Sequence, residues 1–380
     1  MKKNFTLLLF LLVSATSWAQ IPTGYYNSAT GNGYALKTQL SAIITAGHTD
    51  QGYSGLWSLY ANNNAFHDIY DENDGTIYDI YSEKPNTNDP YNFTPIANQC
   101  GNYSGEGDCY NREHLVPQSF FDDYAVDPMK NDPFHVVPSD GKVNGDRGNL
   151  PFGKVASVNY TSLNGSKRGA NTMNSFSNYN GIVFEPIDEF KGDIARAFFY
   201  FATRYEDLID NFYNAADPAT CQARNMFDGS TDKVFSDNFI LLLIKWHKQD
   251  PVSAKEIAQN NAIYNFQGNR NPFIDNPNYV CLIWSSFCDT VDTLSSDNFT
   301  FENSVSIYPN PAINNEVSIA SEIELKSITV FNLNGQIVQE IKNPTPVTNS
   351  SYKINNLPSG FYLIQLASEN ALTTKKIMVN

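Results

Sequence analysis

Beyond its first twenty residues the chain has no apolar run of bilayer-spanning length, so no membrane-spanning helix is expected after the N-terminus. Cysteine is sparse: Cys100, Cys109, Cys221, Cys281 and Cys288, none in CxxC spacing, which argues against a structural zinc site. Basic charge is also short. Lys and Arg number 25 against 40 Asp and Glu, a net −15 that lacks the overall footprint of a nucleic-acid binder. Net charge bears on solubility and long-range steering, however, and leaves a local groove free to differ. Around residues 111–168, Arg112, Lys130, Lys142, Arg147, Lys154, Lys167 and Arg168 roughly balance the carboxylates.

What is present is apolar material. At 380 residues, 41% hydrophobic and 13% aromatic, the chain can bury a core and has length for two or three domains. It begins with Lys2 and Lys3, a short apolar run through Val13, and Ser17-Trp18-Ala19, the order of a secretory signal peptide covering 1–19. Export permits disulfides. Spacing favours Cys100 with Cys109 and Cys281 with Cys288, leaving Cys221 over, although connectivity stays open at this level.

Leu36, Leu40, Ile43 and Ile44 have the spacing of a core-packing helix. The run Thr76 to Tyr81 alternates at strand period, with Tyr78 and Tyr81 expected to pack rather than to stack on bases. Lys84 to Gly107, rich in Asn, Pro and Gly, reads as a loop. Helical periodicity returns from Gly192 to Leu208 and from Asn238 to His247, where His247 is expected to be structural. Asn269, Arg270 and Asn271 are read as bonding an ordered loop rather than substrate. The polar stretch 289–302 suits a linker. Beyond it, Val305–Tyr308, Val317–Ile319, Ser327–Phe331 and Tyr362–Leu366 alternate at strand period between turns, predicting a small antiparallel β-sandwich.

Chemistry concentrates between Asn111 and Gly153. Arg112 to Val116 and Phe134 to Val137 read as short strands ended by Pro117 and Pro138, and Ser139 stands where a helix N-cap belongs, before a short helix to about Arg147. That order brings Glu113, His114 and Asn144 within reach of one ion, with Arg147 on the helix face that carries Asn144. Neighbouring side chains on a regular strand point to opposite faces, so a strand end, bulge or strong twist is expected at Glu113-His114.

Arg112-Glu113-His114, Asp132 to Pro138 and Val143-Asn144-Gly145-Asp146-Arg147-Gly148-Asn149-Leu150-Pro151-Phe152-Gly153, followed by Phe184-Glu185-Pro186, Lys191 to Ala197, Asp250-Pro251 and Gln267 to Asp275, resemble in order the endonuclease I family of secreted and periplasmic bacterial nucleases. The resemblance covers roughly Tyr25 to Trp284. It implies a mainly helical nuclease domain over 20–288 built around a ββα-metal unit; with the linker and a small all-β, immunoglobulin-like sandwich over 303–380, the chain is expected to be α+β. The resemblance further implies Glu113 and Asn144 as metal ligands, His114 as general base and Arg147 against phosphate. His135, Arg112 and Asn149 are candidates for supporting the metal site or contacting substrate. Pro133 replaces an expected aliphatic residue. No phosphate-clamping arginine can be placed between the strands, and Lys130, Arg112 and Arg147 remain the candidates.

The C-terminal segment, through Tyr308-Pro309-Asn310-Pro311, Phe331 to Gly335, Leu357 to Tyr362 and Lys375-Lys376-Ile377, resembles the sorting domain of type IX secretion substrates. Together the resemblances imply a monomeric, secreted or cell-surface endonuclease, exported through the periplasm and without stable membrane insertion. It would act on DNA with little sequence preference, RNA being left open, with Mg²⁺ as cofactor and Mn²⁺ or Ca²⁺ as substitutes. A non-catalytic secreted adhesin or glycan-binding protein would share the leader, the acidity and the terminal sandwich. A phosphatase of another fold would need more carboxylate or histidine ligands.

Overall fold

The computed structural model describes residues 21–171, 179–347, 350–369 and 371–380, so the expected signal peptide lies outside the described residues. The chain divides into two compact units, Met1–Ser285 and Ser286–Asn380.

The first unit opens with α1 (Gly33–Thr45), whose Leu36, Leu40 and Ile44 form one buried stripe, and α2 (Tyr53–Asn62). A long irregular segment follows. Thr76 to Tyr81 is not the expected strand: Ile77 makes an isolated bridge to His67, and the amides of Ile77 and Tyr78 donate to Phe93 O and Phe66 O. The alternation misleads because Asp79, the polar member, is itself buried. Tyr78 and Tyr81 do pack inside.

β1 (Tyr110–His114) and β2 (Val136–Asp140) pair antiparallel and lead into α3 (Gly141–Arg147). A three-stranded antiparallel sheet follows, β3 (Val155–Thr161), β4 (Lys167–Asn171) and β5 (Ile182–Glu185). The helical body is α4 (Lys191–Arg204), α5 (Ile209–Ala215), α6 (Asp237–Gln249), α7 (Ala254–Gln267), α8 (Pro272–Asp275) and α9 (Tyr279–Ile283). α4 is its axis, buried on every face from Ile194 to Thr203 and packed against α1 and α6. A helix apolar around its circumference is stable only when enclosed.

Several charged and amide side chains inside this body are paired. Arg196 pairs with Glu256, and Arg270 grips Asp275 through Nε and Nη2 at 2.6 and 2.7 Å. Asn269 bonds Ile44 O and Tyr200, while Asn271 caps α8, so these residues hold the loop as expected. His247 is structural too, its Nε2 donating to Pro277 O at 3.2 Å.

α10 (Ser285–Ser304) covers the segment expected as a linker, so that segment is helical. Its Phe301 joins the second unit's core, where β6 (Val305–Ile313), β7 (Glu316–Ser321), β8 (Ser327–Asn332), β9 (Ile337–Lys342), β10 (Ser351–Ile354), β11 (Gly360–Ala367) and β12 (Leu372–Val379) run β10-β7-β6-β12-β11-β8-β9. One contact departs from the expected antiparallel pattern: β12 meets β6 in parallel at Val379 and Ala312. Val317, Ile319, Ile328, Val330, Ile364 and Ile377 meet in a single core.

Candidate active site

The pairing of β1 with β2 runs unbroken from Tyr110 opposite Asp140 to His114 opposite Val136. The helix cap is Asp140, not Ser139: its Oδ1 accepts the Val143 amide at 2.8 Å and its Oδ2 the Gly107 amide at 2.8 Å. Ser139 instead turns to Asn111, 3.2 Å away. With Gly141 and Gly145, α3 has weak intrinsic helicity, and it is held from outside. Tyr103 lies where a Cβ on either glycine would stand. That tyrosine sits inside the loop closed by the Cys100–Cys109 disulfide. Gly148, at φ +53°, ends the helix.

Glu113 is 2% exposed. Its Oε1 accepts from Tyr81 Oη at 2.9 Å and Arg147 Nη1 at 3.1 Å, which leaves Oε2 outside both bonds. Burial pushes its carboxyl up, opposed by the Arg147 charge and the Tyr81 hydroxyl. Arg147 is not placed for the phosphate role expected of it. It is 1% exposed, its Nη1 and Nη2 donate to His114 O at 2.7 Å and Leu115 O at 2.6 Å, and its guanidinium lies 4.5 Å from the Phe152 ring centre. It ties α3 to the end of β1.

Asn144 is half-buried. Its Nδ2 faces Asn111 Oδ1 at 2.8 Å and the Arg112 carbonyl at 3.4 Å. A backbone carbonyl only accepts, so the amide is oriented with Oδ1 turned away from these bonds. Glu113 and Asn144 thus each have one hard oxygen outside the bonds just named, and the His114 amide also bonds the Glu113 carboxylate. Asn149 is exposed on the turn after α3.

β1 ends at His114, as the strand-end expectation requires, but with neither bulge nor register shift. Glu113 bonds Tyr81 and α3, while His114 packs among other residues. The His114 ring stacks on Tyr53 at 5.8 Å and packs by Phe121 and His135 at 6.3 and 6.1 Å. Its Nε2 is 3.1 Å from Lys130 O. Since a carbonyl cannot donate, Nε2 carries the proton and Nδ1 the lone pair. Burial, reinforced by His135 and the Lys130 and Arg112 charges, holds the imidazole down at about 3, so it is neutral at neutral pH.

His135 is fully buried and donates from Nε2 to Met129 O at 2.7 Å. Successive carbonyls of the turn Met129–Asn131 therefore fix both histidines. Tyr53 also gathers two cations: Arg112 lies 3.5 Å from its ring centre and bonds its carbonyl at 2.8 Å, and the Lys130 Nζ lies 4.8 Å from the ring centre. Tyr53, Tyr81 and the Lys130 carbonyl escape sequence reading, because aromatic residues in a helix or an apolar run read first as core and a carbonyl leaves no residue signature.

Residues 32–278 fit the family model for Endonuclease I. The chain belongs to the endonuclease I family. Residues 306–380 fit the secretion system C-terminal sorting domain, the type IX signal. The chain is 33% identical over 270 residues to an extracellular ribonuclease of Bacillus amyloliquefaciens, covering 68% of this chain and 78% of that protein. It is 32% identical over 287 residues to an extracellular ribonuclease of Bacillus subtilis (strain 168), covering 73% and 83%. An endonuclease-1 of Buchnera aphidicola subsp. Acyrthosiphon pisum (strain APS) matches at 25% over 146 residues, 38% of this chain and 45% of that protein. This endonuclease I family member is a secreted or cell-surface nuclease, a phosphodiester hydrolase. Among the described residues no helix is long and apolar enough to cross a membrane.

Proposed function

We propose that the chain is a largely sequence-nonspecific endonuclease that hydrolyses DNA, with RNA as a second substrate, using one divalent cation and His114 as general base. The observation that carries this reading is the His114 tautomer, with Nε2–H held by the Lys130 carbonyl and Nδ1 left as acceptor. The side-chain oxygens of Glu113 and Asn144 suit a hard cation such as Mg²⁺, with Mn²⁺ or Ca²⁺ as substitutes, and would be the residues that hold it. An ion held there would supply neutralisation of the charge on the phosphate and on the departing oxygen.

The side chains do the rest. His114 Nδ1 takes the proton of the attacking water as its oxygen bonds to phosphorus and the phosphorus–oxygen bond to the sugar breaks. The Lys130 carbonyl steadies the imidazolium so formed. Arg112 and Lys130, gathered over Tyr53, are the cations we assign to phosphate, a role that would make the contacts backbone contacts and the enzyme indifferent to sequence. Arg147 acts by positioning, holding Glu113 and the last carbonyls of β1. His135 supports His114 through the turn Met129–Asn131. Because Glu113 and His114 leave a regular strand in succession, the reacting phosphate must sit at the rim where β1 ends.

RNA gains support from the two Bacillus relatives, whose names state ribonuclease. Digestion of duplex DNA, single-stranded DNA and RNA, each with Mg²⁺ or with EDTA, tests the proposal. Cleavage in Mg²⁺ of all three, abolished by EDTA, is the expected result; cleavage that persists in EDTA overturns it.

A further inference from the structure

A second group of carboxylates lies in the N-terminal unit and shares no residue with Glu113, His114 and Asn144. Asp68, Glu72 and Glu83 each bring an oxygen to within 4.8 Å of the others. Asp68 is fully buried, and its two oxygens accept the amides of Tyr70 and Asp71 at 3.0 Å and of Asn73 at 2.9 Å. That arrangement folds the acidic loop Asp68-Ile69-Tyr70-Asp71-Glu72-Asn73-Asp74-Gly75 but does not by itself require an ion. The independent observation is Glu83. It is 1% exposed, and its Oε2 has no hydrogen-bond donor. A buried carboxylate oxygen without a donor carries a large desolvation cost, and here it lies among other carboxylates rather than beside a base. Asp89 is the strongest like charge acting on it and also shares a side-chain hydrogen bond with it, so Oε2 is the oxygen left without a donor.

We propose that Asp68, Glu72 and Glu83, with Asp89 beside them, form a structural calcium site distinct from the nuclease centre. All the donors are hard oxygens, and a set rich in carboxylates drawn from a loop and a distant residue suits the flexible six-to-eight-fold shell of Ca²⁺ better than the tight octahedron of Mg²⁺. The ion supplies the counter-charge that, among the described residues, no Lys or Arg side chain gives Glu83, and it links the 68–76 loop to the segment that carries Tyr81. The rival is a proton held on Glu83, since without an ion burial and then Asp89 push its carboxyl up to about 11.

The test is the melting midpoint of the full mature chain, stripped of metal, with and without Ca²⁺. For a site of ~10 µM affinity, ~1 mM Ca²⁺ raises the midpoint by about 5 °C. Asn144→Ala, which alters the nuclease centre, keeps that rise. Glu83→Gln and Glu72→Gln reduce it to less than half, and should Glu83→Gln fail to fold, the exposed Glu72 decides. No rise in the wild type, a full rise in Glu72→Gln, or a rise lost in Asn144→Ala overturns the proposal. Because cleavage is not the readout, the outcome is independent of the nuclease mechanism.

Discussion

At the scale of single residues, Arg147 shows how far a motif can be read. Its place in the family motif suggests a phosphate ligand, yet the carbonyls that claim its guanidinium belong to His114 and Leu115, more than thirty positions back along the chain. No local pattern announces such partners. The consequence is energetic: removing Arg147 leaves Glu113 buried without its counter-charge, held only by neutral donors such as Tyr81 and the His114 amide. Arg147→Met is expected to cost about 3–5 kcal/mol, the range for breaking one side of a buried ion pair. Urea unfolding measures it, and a loss below about 1 kcal/mol would show that the pair does not hold the site. Glu113, His114 and Asn144 were legible as candidates because their chemistry is carried by their own side chains. The contacts that orient them were not, since the Lys130 carbonyl and the Tyr53 ring come from segments that only the fold brings near.

At the scale of elements, helices with a full apolar pattern were legible: α1, α4 and α6 lie where periodicity predicts, because burial along them repeats with the turn of the helix. Thr76 to Tyr81 failed for the converse reason, as both of its faces are enclosed and alternation carries no inside and outside. α3 was legible from its stop and start, although the cap proved to be Asp140. α6 also makes stability depend on pH. His247 packs beside Arg196, with Nδ1 3.4 Å from its Nη1, and burial followed by that charge lowers the imidazole to about 4. An unfolded histidine titrates near 6.5. Between these values the unfolded chain takes a proton that the native state refuses, so stability falls as the pH drops from about 6.5 towards 4, by up to about 3 kcal/mol. Asp250, raised to about 6 chiefly by burial, acts in the opposite sense, so the comparison is between proteins rather than between pH values alone. Denaturation midpoints at pH 7 and pH 5 should converge for wild type and His247→Gln if this is right, the wild type losing more on acidification; parallel losses would rule it out.

For the whole molecule, the family matches assign catalysis to 32–278 and sorting to 306–380. The first unit has its own enclosed axis in α4, and the second its own core. A chain ending after Ser304 keeps α10 and the disulfide-bonded Cys281 and Cys288. It should cleave nucleic acid within about twofold of the full chain, since the proposed site lies wholly within the first unit, yet fail to reach the medium when expressed in a type IX-competent host. Assays of purified protein and of culture fractions check the two halves separately. Loss of cleavage in well-folded truncated protein would contradict this division of labour.

The central claim is that His114 Nδ1 takes the proton from the attacking water. Its most direct test is the single-turnover rate of plasmid cleavage by His114→Ala at saturating Mg²⁺, measured beside binding of the same DNA. The account predicts a fall of about 10²–10⁴-fold with binding nearly unchanged. A rate equal to that of the wild type would contradict it.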